Sequence, residues 1–252
     1  MSIFNKLFGG NKASTATATT TMTQTHVAPL TIDMSKHVAN LETVLIDMSK
    51  NGKTNMADHT ARVAVAMDYS GSMSDMFSNG EVQEIVERLL PIALKFDDNG
   101  ELESWLFSND YERINPVTIS NHQGYVKTVM MNSGMYMGGT NYSPVLKDIV
   151  KYYKDKHPSD VPAFIIFITD GDNFDESETN SIVRKLSEYN MFVQFVGIGN
   201  GSSFRYLRHL DELSGRKNDN TGFISVQDMN RLSDEQLYTE MLRQYNDWLN
   251  KK

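Results

Sequence analysis

The chain of 252 residues contains no cysteine. That excludes disulfides, thiolate zinc sites, iron–sulfur clusters and a cysteine nucleophile, and it fits a reducing compartment. Positive charge is in deficit: 24 Lys and Arg stand against 32 Asp and Glu, a net charge of −8. Non-specific DNA or RNA binding rests on basic surface, so this balance argues against it. No apolar run approaches the roughly 18 residues that a membrane-spanning helix needs. Neither H-E-x-x-H, nor G-x-x-x-x-G-K-[ST], nor G-x-S-x-G occurs, so zincin, P-loop and nucleophile-elbow chemistries lack their signatures. What the chain does have is enough apolar surface for a core. Hydrophobic residues make up 40% and charged ones 22%, which excludes global disorder.

The N-terminal region reads as two pieces. Ile3, Phe4, Leu7 and Phe8 share one helical face within Met1–Gly10, but that stretch is too short for a signal-peptide core. Position 2 is not Gly, which excludes myristoylation, and a frayed terminus is expected. Asn11–Thr25, rich in Thr, Ala and Ser, has almost nothing to bury and reads as a tether. Residues 1–28 are therefore expected to form a flexible low-complexity tail. Residues 29–58 form a helical extension. Val38, Leu41, Leu45 and Met48 recur at helical spacing, which predicts an amphipathic helix over Thr31–Lys50, ended by Asn51-Gly52.

Residues 59–252 alternate between strand and helix patterns. Strands are predicted at Val63–Met67, Leu102–Phe107, Ala163–Thr169, Phe192–Ile198 and Gly222–Val226. Ala163–Thr169 is apolar nearly throughout, as in a parallel strand covered on both faces. A helix is predicted over Glu81–Phe96, with Pro91 expected to kink or split it. Another opens with Ser143 as its cap and Pro144 in its first turn. Two more carry Ile182, Val183, Leu186 and Tyr189, and Phe204, Leu207, Leu210 and Leu213. A capping box, Ser233-x-x-Gln236, opens the C-terminal helix. This alternation implies right-handed crossovers and an α/β fold: a doubly wound, mostly parallel central sheet with helices on both faces.

In such sheets ligands sit outside the carboxyl ends of the strands. The first strand runs into Asp68-Tyr69-Ser70-Gly71-Ser72, where alternate side chains can converge on one point. The central strand runs into Thr169-Asp170-Gly171-Asp172. A third loop, Gly138-Gly139-Thr140, ends in a hydroxyl. Asp68, Ser70, Ser72, Thr140 and Asp170 then supply hard oxygen donors from three loops. Oxygen-only ligation completed by waters at about 2.1 Å favours Mg²⁺ or Mn²⁺ over Zn²⁺. If Asp68 binds directly and Asp170 acts through a water, the metal keeps positive charge and a replaceable water. A carboxylate of a protein partner is then the natural sixth ligand. No residue of this set is an evident nucleophile with its own base. Asp172 and Asp175 read as turn and helix-cap residues rather than outer supports. The stretch from Asp170 to Asp175 is not an EF-hand loop, because Phe174 occupies a ligand position. Met130, Met131, Met135 and Met137 read as packing residues, the scattered histidines as structural, and Lys185, Arg205 and Arg208 as solvated helix faces.

Asp68-x-Ser70-x-Ser72, Gly139-Thr140 and Thr169-Asp170-Gly171 resemble the metal-ion-dependent adhesion site of von Willebrand factor A (vWA) domains, over roughly residues 60–250. More narrowly, the chain resembles the vWA proteins of bacterial tellurium-resistance (Ter) gene clusters. Ala61–Ala64 leading into Asp68–Met73, Lys95–Gly100, Gly138–Ser143, Leu210–Arg216 and Tyr245–Leu249 carry that likeness. The resemblance implies a non-enzymatic, cytoplasmic, bacterial or phage-encoded protein with a Mg²⁺-type site and a role in stress or metal-resistance complexes. It also implies that the Ca²⁺-binding β-sandwich of some relatives is missing, because Met1–Lys50 is too short and too helical for it. The alternatives are a metal-dependent hydrolase or phosphotransferase using Asp68, and a scaffold with a vestigial site. A haloacid-dehalogenase-type site would want an Asp where Ser70 stands.

Overall fold

The computed structural model describes residues 32–171, 173–199, 204–227 and 231–252. The tail over 1–28 and the turn reading of Asp172 lie outside the described residues. The first helix, α1 (Ile32–Asn51), precedes β1 (Arg62–Asp68), α2 (Ser74–Asn79) and α3 (Glu81–Phe96). Then come β2 (Leu102–Phe107), β3 (Tyr111–Val117), α4 (Ser143–Lys151) and β4 (Ala163–Thr169). The chain ends with α5 (Glu176–Leu186), β5 (Met191–Ile198), α6 (Arg205–Asp211), β6 (Thr221–Val226) and α7 (Asp234–Asn250).

The six strands form one sheet in the order β3-β2-β1-β4-β5-β6. All neighbouring pairs are parallel except β2 and β3. Alternation along the strands divides the core into two layers. Val63, Val65 and Met67 join one buried cluster with α1, α3 and α7, whereas Ala64 and Ala66 join the other with α4, α5 and α6. Every residue of β4 and β5 is buried, as strands covered on both faces must be.

Three local expectations are corrected. First, the sequence pattern does not reveal β3. Only Ile114 and Val117 of this edge strand are buried, so it lacks an apolar run, and its Pro116 is tolerated because an edge strand leaves N–H positions unpaired. Second, α3 runs unbroken through Pro91. Every residue from Leu89 to Leu94 is buried, and that packing outweighs the hydrogen bond that proline removes. Third, Ser143 does not cap α4. The cap position is Tyr142, Ser143 already lies in the helix, and its hydroxyl donates to Glu178 at 3.0 Å. By contrast, Ser233 and Gln236 form both bonds of the capping box on α7.

Candidate metal centre

The sheet's connections reverse direction between β1 and β4, and the crevice at their carboxyl ends is where a doubly wound sheet binds ligands. β1 ends at Asp68, whose side chain is 0% exposed. Its Oδ1 accepts from the Ser70 backbone N–H at 2.8 Å, and its Oδ2 accepts from the Thr169 hydroxyl at 2.6 Å. A short 3₁₀ turn, Gly71–Met73, curls the chain so that the Ser70 and Ser72 hydroxyls meet at 3.0 Å. Ser72 in turn donates to Asp170 Oδ1 at 2.9 Å. Four of the five expected residues therefore form one hydrogen-bonded chain across the crevice.

Thr140 stands outside that chain but beside it. Gly138 is bridged to Ser70, and its carbonyl accepts from Gly71 N–H at 2.9 Å. Thr140 is buried, and its carbonyl accepts from Phe174 N–H at 3.0 Å.

The loops are held by Asn109 and Tyr142, which the sequence reading missed, and by Asp175, which it read as a helix cap and not as a support. Asn109, in the β2–β3 turn, accepts from Gly139 N–H at 2.7 Å and, through its carbonyl, from Asn141 Nδ2 at 3.0 Å. A Cβ on Gly138 would lie 2.1 Å from Asn109 Oδ1, so this latch requires glycine there. Tyr142 is buried and donates its hydroxyl to the Gly171 carbonyl, tying the third loop to the second. Asp175 accepts from the N–H groups of Tyr142 and Ser143 at 3.0 and 2.8 Å. It thus caps α4 rather than its own helix. Burial raises its carboxyl's pKa, but these bonds outweigh that and hold it below the usual value. Nothing in the chain's spacing marks Asn109, or the reach of Asp175 to α4, because each acts on a segment some 30 residues away.

The donor set fits a hard dication. Burial pushes the Asp68 carboxyl up to about 7, aided by the charge of Asp170. Asp170 is raised too, chiefly by burial. No basic side chain contributes to either shift. A buried carboxylate without a counter-charge is costly, and a bound cation would relieve that cost. Among the described residues no three His, Cys, Asp or Glu side chains cluster to hold a metal, so hydroxyls must supply the remaining protein oxygens.

A doubly wound sheet with carboxylate- and hydroxyl-bearing loops at its reversal point fits a vWA domain, and the family match shows that the chain is one. It belongs to the vWA-TerF-like family: the model of the vWA domain found in the TerF C terminus matches residues 60–252. It is 39% identical over 221 residues to the uncharacterised protein YcbR of Bacillus subtilis, covering 87% of this chain and 86% of that one. Among solved structures it resembles a mutant of the PilB minor pilin from Streptococcus sanguinis, with a TM-score of 0.54 and 13% identity. That match covers 76% of this chain and 63% of the pilin chain. Proximal thread matrix protein 1 from the mussel byssus, solved with a zinc-occupied metal-ion-dependent adhesion site, matches at a TM-score of 0.50 and 15% identity. There the coverage is 75% of this chain and 46% of the mussel chain. At these identities the two structures speak for the fold alone. No helix among the described residues is long and apolar enough to cross a membrane.

Proposed function

We propose that this chain is a non-enzymatic interaction module whose Asp68, Ser70, Ser72, Thr140 and Asp170 hold Mg²⁺ or Mn²⁺. Its open coordination position would take the carboxylate of a protein partner. The observation that carries this reading is the buried Asp68 carboxylate, which heads the hydroxyl chain without a basic neighbour. With Asp68 as the only direct carboxylate, Asp170 acting through a water and the hydroxyls neutral, a dication would keep net positive charge in its inner shell, so one external anionic oxygen can still be accepted. The oxygen donors favour Mg²⁺ or Mn²⁺, and the zinc in the mussel protein supports a divalent ion at a site of this kind. The family's link to TerF supports a place in a bacterial tellurium-resistance or stress-response system, and the absence of cysteine fits a reducing compartment such as the cytoplasm.

The test is thermal unfolding of the full chain with Mg²⁺, Mn²⁺ or Zn²⁺, followed by pull-downs from the native host with and without chelator. An ion at 100 times its Kd should stabilise by about 2.7 kcal/mol. Asp68→Ala should abolish both the ion's effect and the chelator-sensitive capture while leaving the fold intact. An unchanged recovery with chelator would sink the reading. So would Mg²⁺-dependent phosphatase or ATPase turnover that Asp68→Ala removes.

A further inference from the structure

The two most exposed large apolar side chains among the described residues are Phe174, at 81%, and Tyr136, at 73%. Both stand against the Gly138-Gly139 dipeptide. A Cβ on Gly139 would lie 3.2 Å from Phe174 Cε2, and one on Gly138 would lie 3.2 Å from Tyr136 Cε2. Gly138 is the residue bridged to Ser70, so the two rings border the proposed ligands. Leaving two such rings in water forgoes hydrophobic stabilisation, and exposed apolar surface beside polar loops marks interaction sites.

The charge pattern narrows what can cover them. The segment 131–142 (MNSGMYMGGTNY) contains no charged residue, nor does 70–74 (SGSMS). The charged side chains that do reach this segment are acidic: Glu112 accepts from Gly134 N–H and Asp175 from Tyr142 N–H, each at 3.0 Å. A polyacidic partner would thus meet a chain of net charge −8 with no lysine or arginine on these two loops. A single carboxylate can be neutralised by the ion alone, while its neighbours meet apolar rings.

We propose that the partner is a protein segment carrying one carboxylate beside an apolar side chain, the apolar side chain packing on Phe174 and Tyr136. This rests on the metal reading above and adds selectivity to it. Both rings are solvent-facing, so replacing them leaves the core untouched.

The test uses the full chain in Mg²⁺ and three biotinylated peptides on a streptavidin sensor: Gly-Leu-Asp-Leu-Gly, Gly-Ser-Asp-Ser-Gly and Gly-Asp-Asp-Asp-Gly. Biolayer interferometry should show the leucine-flanked peptide binding about tenfold more tightly than the serine-flanked one, with the polyacidic one weakest. Phe174→Ser and Tyr136→Ser should erase the leucine preference and leave Mn²⁺ binding, read from the free-ion signal in electron paramagnetic resonance, unchanged. If Mn²⁺ binds but no peptide does, if the three bind alike, if the polyacidic one binds best, or if the variants keep the preference, the inference fails and the metal reading stands. If the wild-type chain does not bind Mn²⁺, the metal reading fails and takes this inference with it.

Discussion

Asp68 is held by two hydrogen bonds that favour its charged form and by burial that opposes it, and burial wins. Its pKa rises from an ordinary 3.8 to about 7. Between about pH 4 and about pH 7 the metal-free native chain therefore keeps a proton that the unfolded chain has released. The stability this supplies is complete below about pH 4 and is lost as pH rises through about 7. A dication has to displace that proton, so Mn²⁺ affinity should climb as pH goes from about 6 to about 8. Calorimetric titration at several pH values checks this, with Asp68→Asn as the control that should not bind; a flat profile for the wild-type chain would contradict it. The ligand candidates at this scale were legible because alternate residues after a strand point the same way. Their supports were not. Asn109 is an ordinary turn residue in sequence and Asp175 reads as the cap of its own helix, and each acquires its role here when folding brings Gly139 and Tyr142 to it.

Among the elements, α1 is joined to the rest by more than apolar contact. Asp234, at the start of α7, accepts from His37 and Asn40 of α1 at 2.6 and 3.0 Å and from Arg88 of α3 at 2.9 Å. Burial opposes the charge on Asp234, but these partners outweigh it and hold the carboxyl below its usual value. Arg88 is 3% exposed and also donates to the Leu232 carbonyl at 2.7 Å. Asp234→Ala would leave this guanidinium buried without its carboxylate, a change that costs about 3–5 kcal/mol. Urea unfolding should show a midpoint lowered accordingly at near-constant slope; a loss under about 1 kcal/mol would mean that water replaces the carboxylate. Of the elements, those with an unambiguous period were readable: α1 by its 3–4 spacing, β4 by its uninterrupted apolar run, α7 by its capping box. β3 was hidden because an edge strand buries little and so carries little pattern.

At the scale of the whole molecule, α1 belongs to the same core as the vWA domain. Met34, Val38, Leu41, Val44 and Leu45 are buried with residues of α3 and α7, although the family match begins at residue 60. Fully burying each such side chain is worth roughly 1.5–3 kcal/mol, against a total stability of roughly 5–15 kcal/mol. A chain starting at residue 59 should therefore lose its cooperative urea transition and its near-ultraviolet circular dichroism. A cooperative transition close to that of the full chain would show that α1 is dispensable.

Local pattern was enough to establish that this is a doubly wound α/β chain with oxygen donors at its strand ends. Periodicity and strand-terminal carboxylates are properties of neighbouring residues, and burial acts on them through the same short-range geometry everywhere. The chain-wide fold decided the rest: that Ser72 reaches Asp170, that Asn109 latches Gly139, that Asp175 caps a foreign helix, and that Phe174 and Tyr136 stand uncovered beside the crevice. Each joins residues far apart in sequence, and such contacts exist only once the sheet order has set which loops lie side by side.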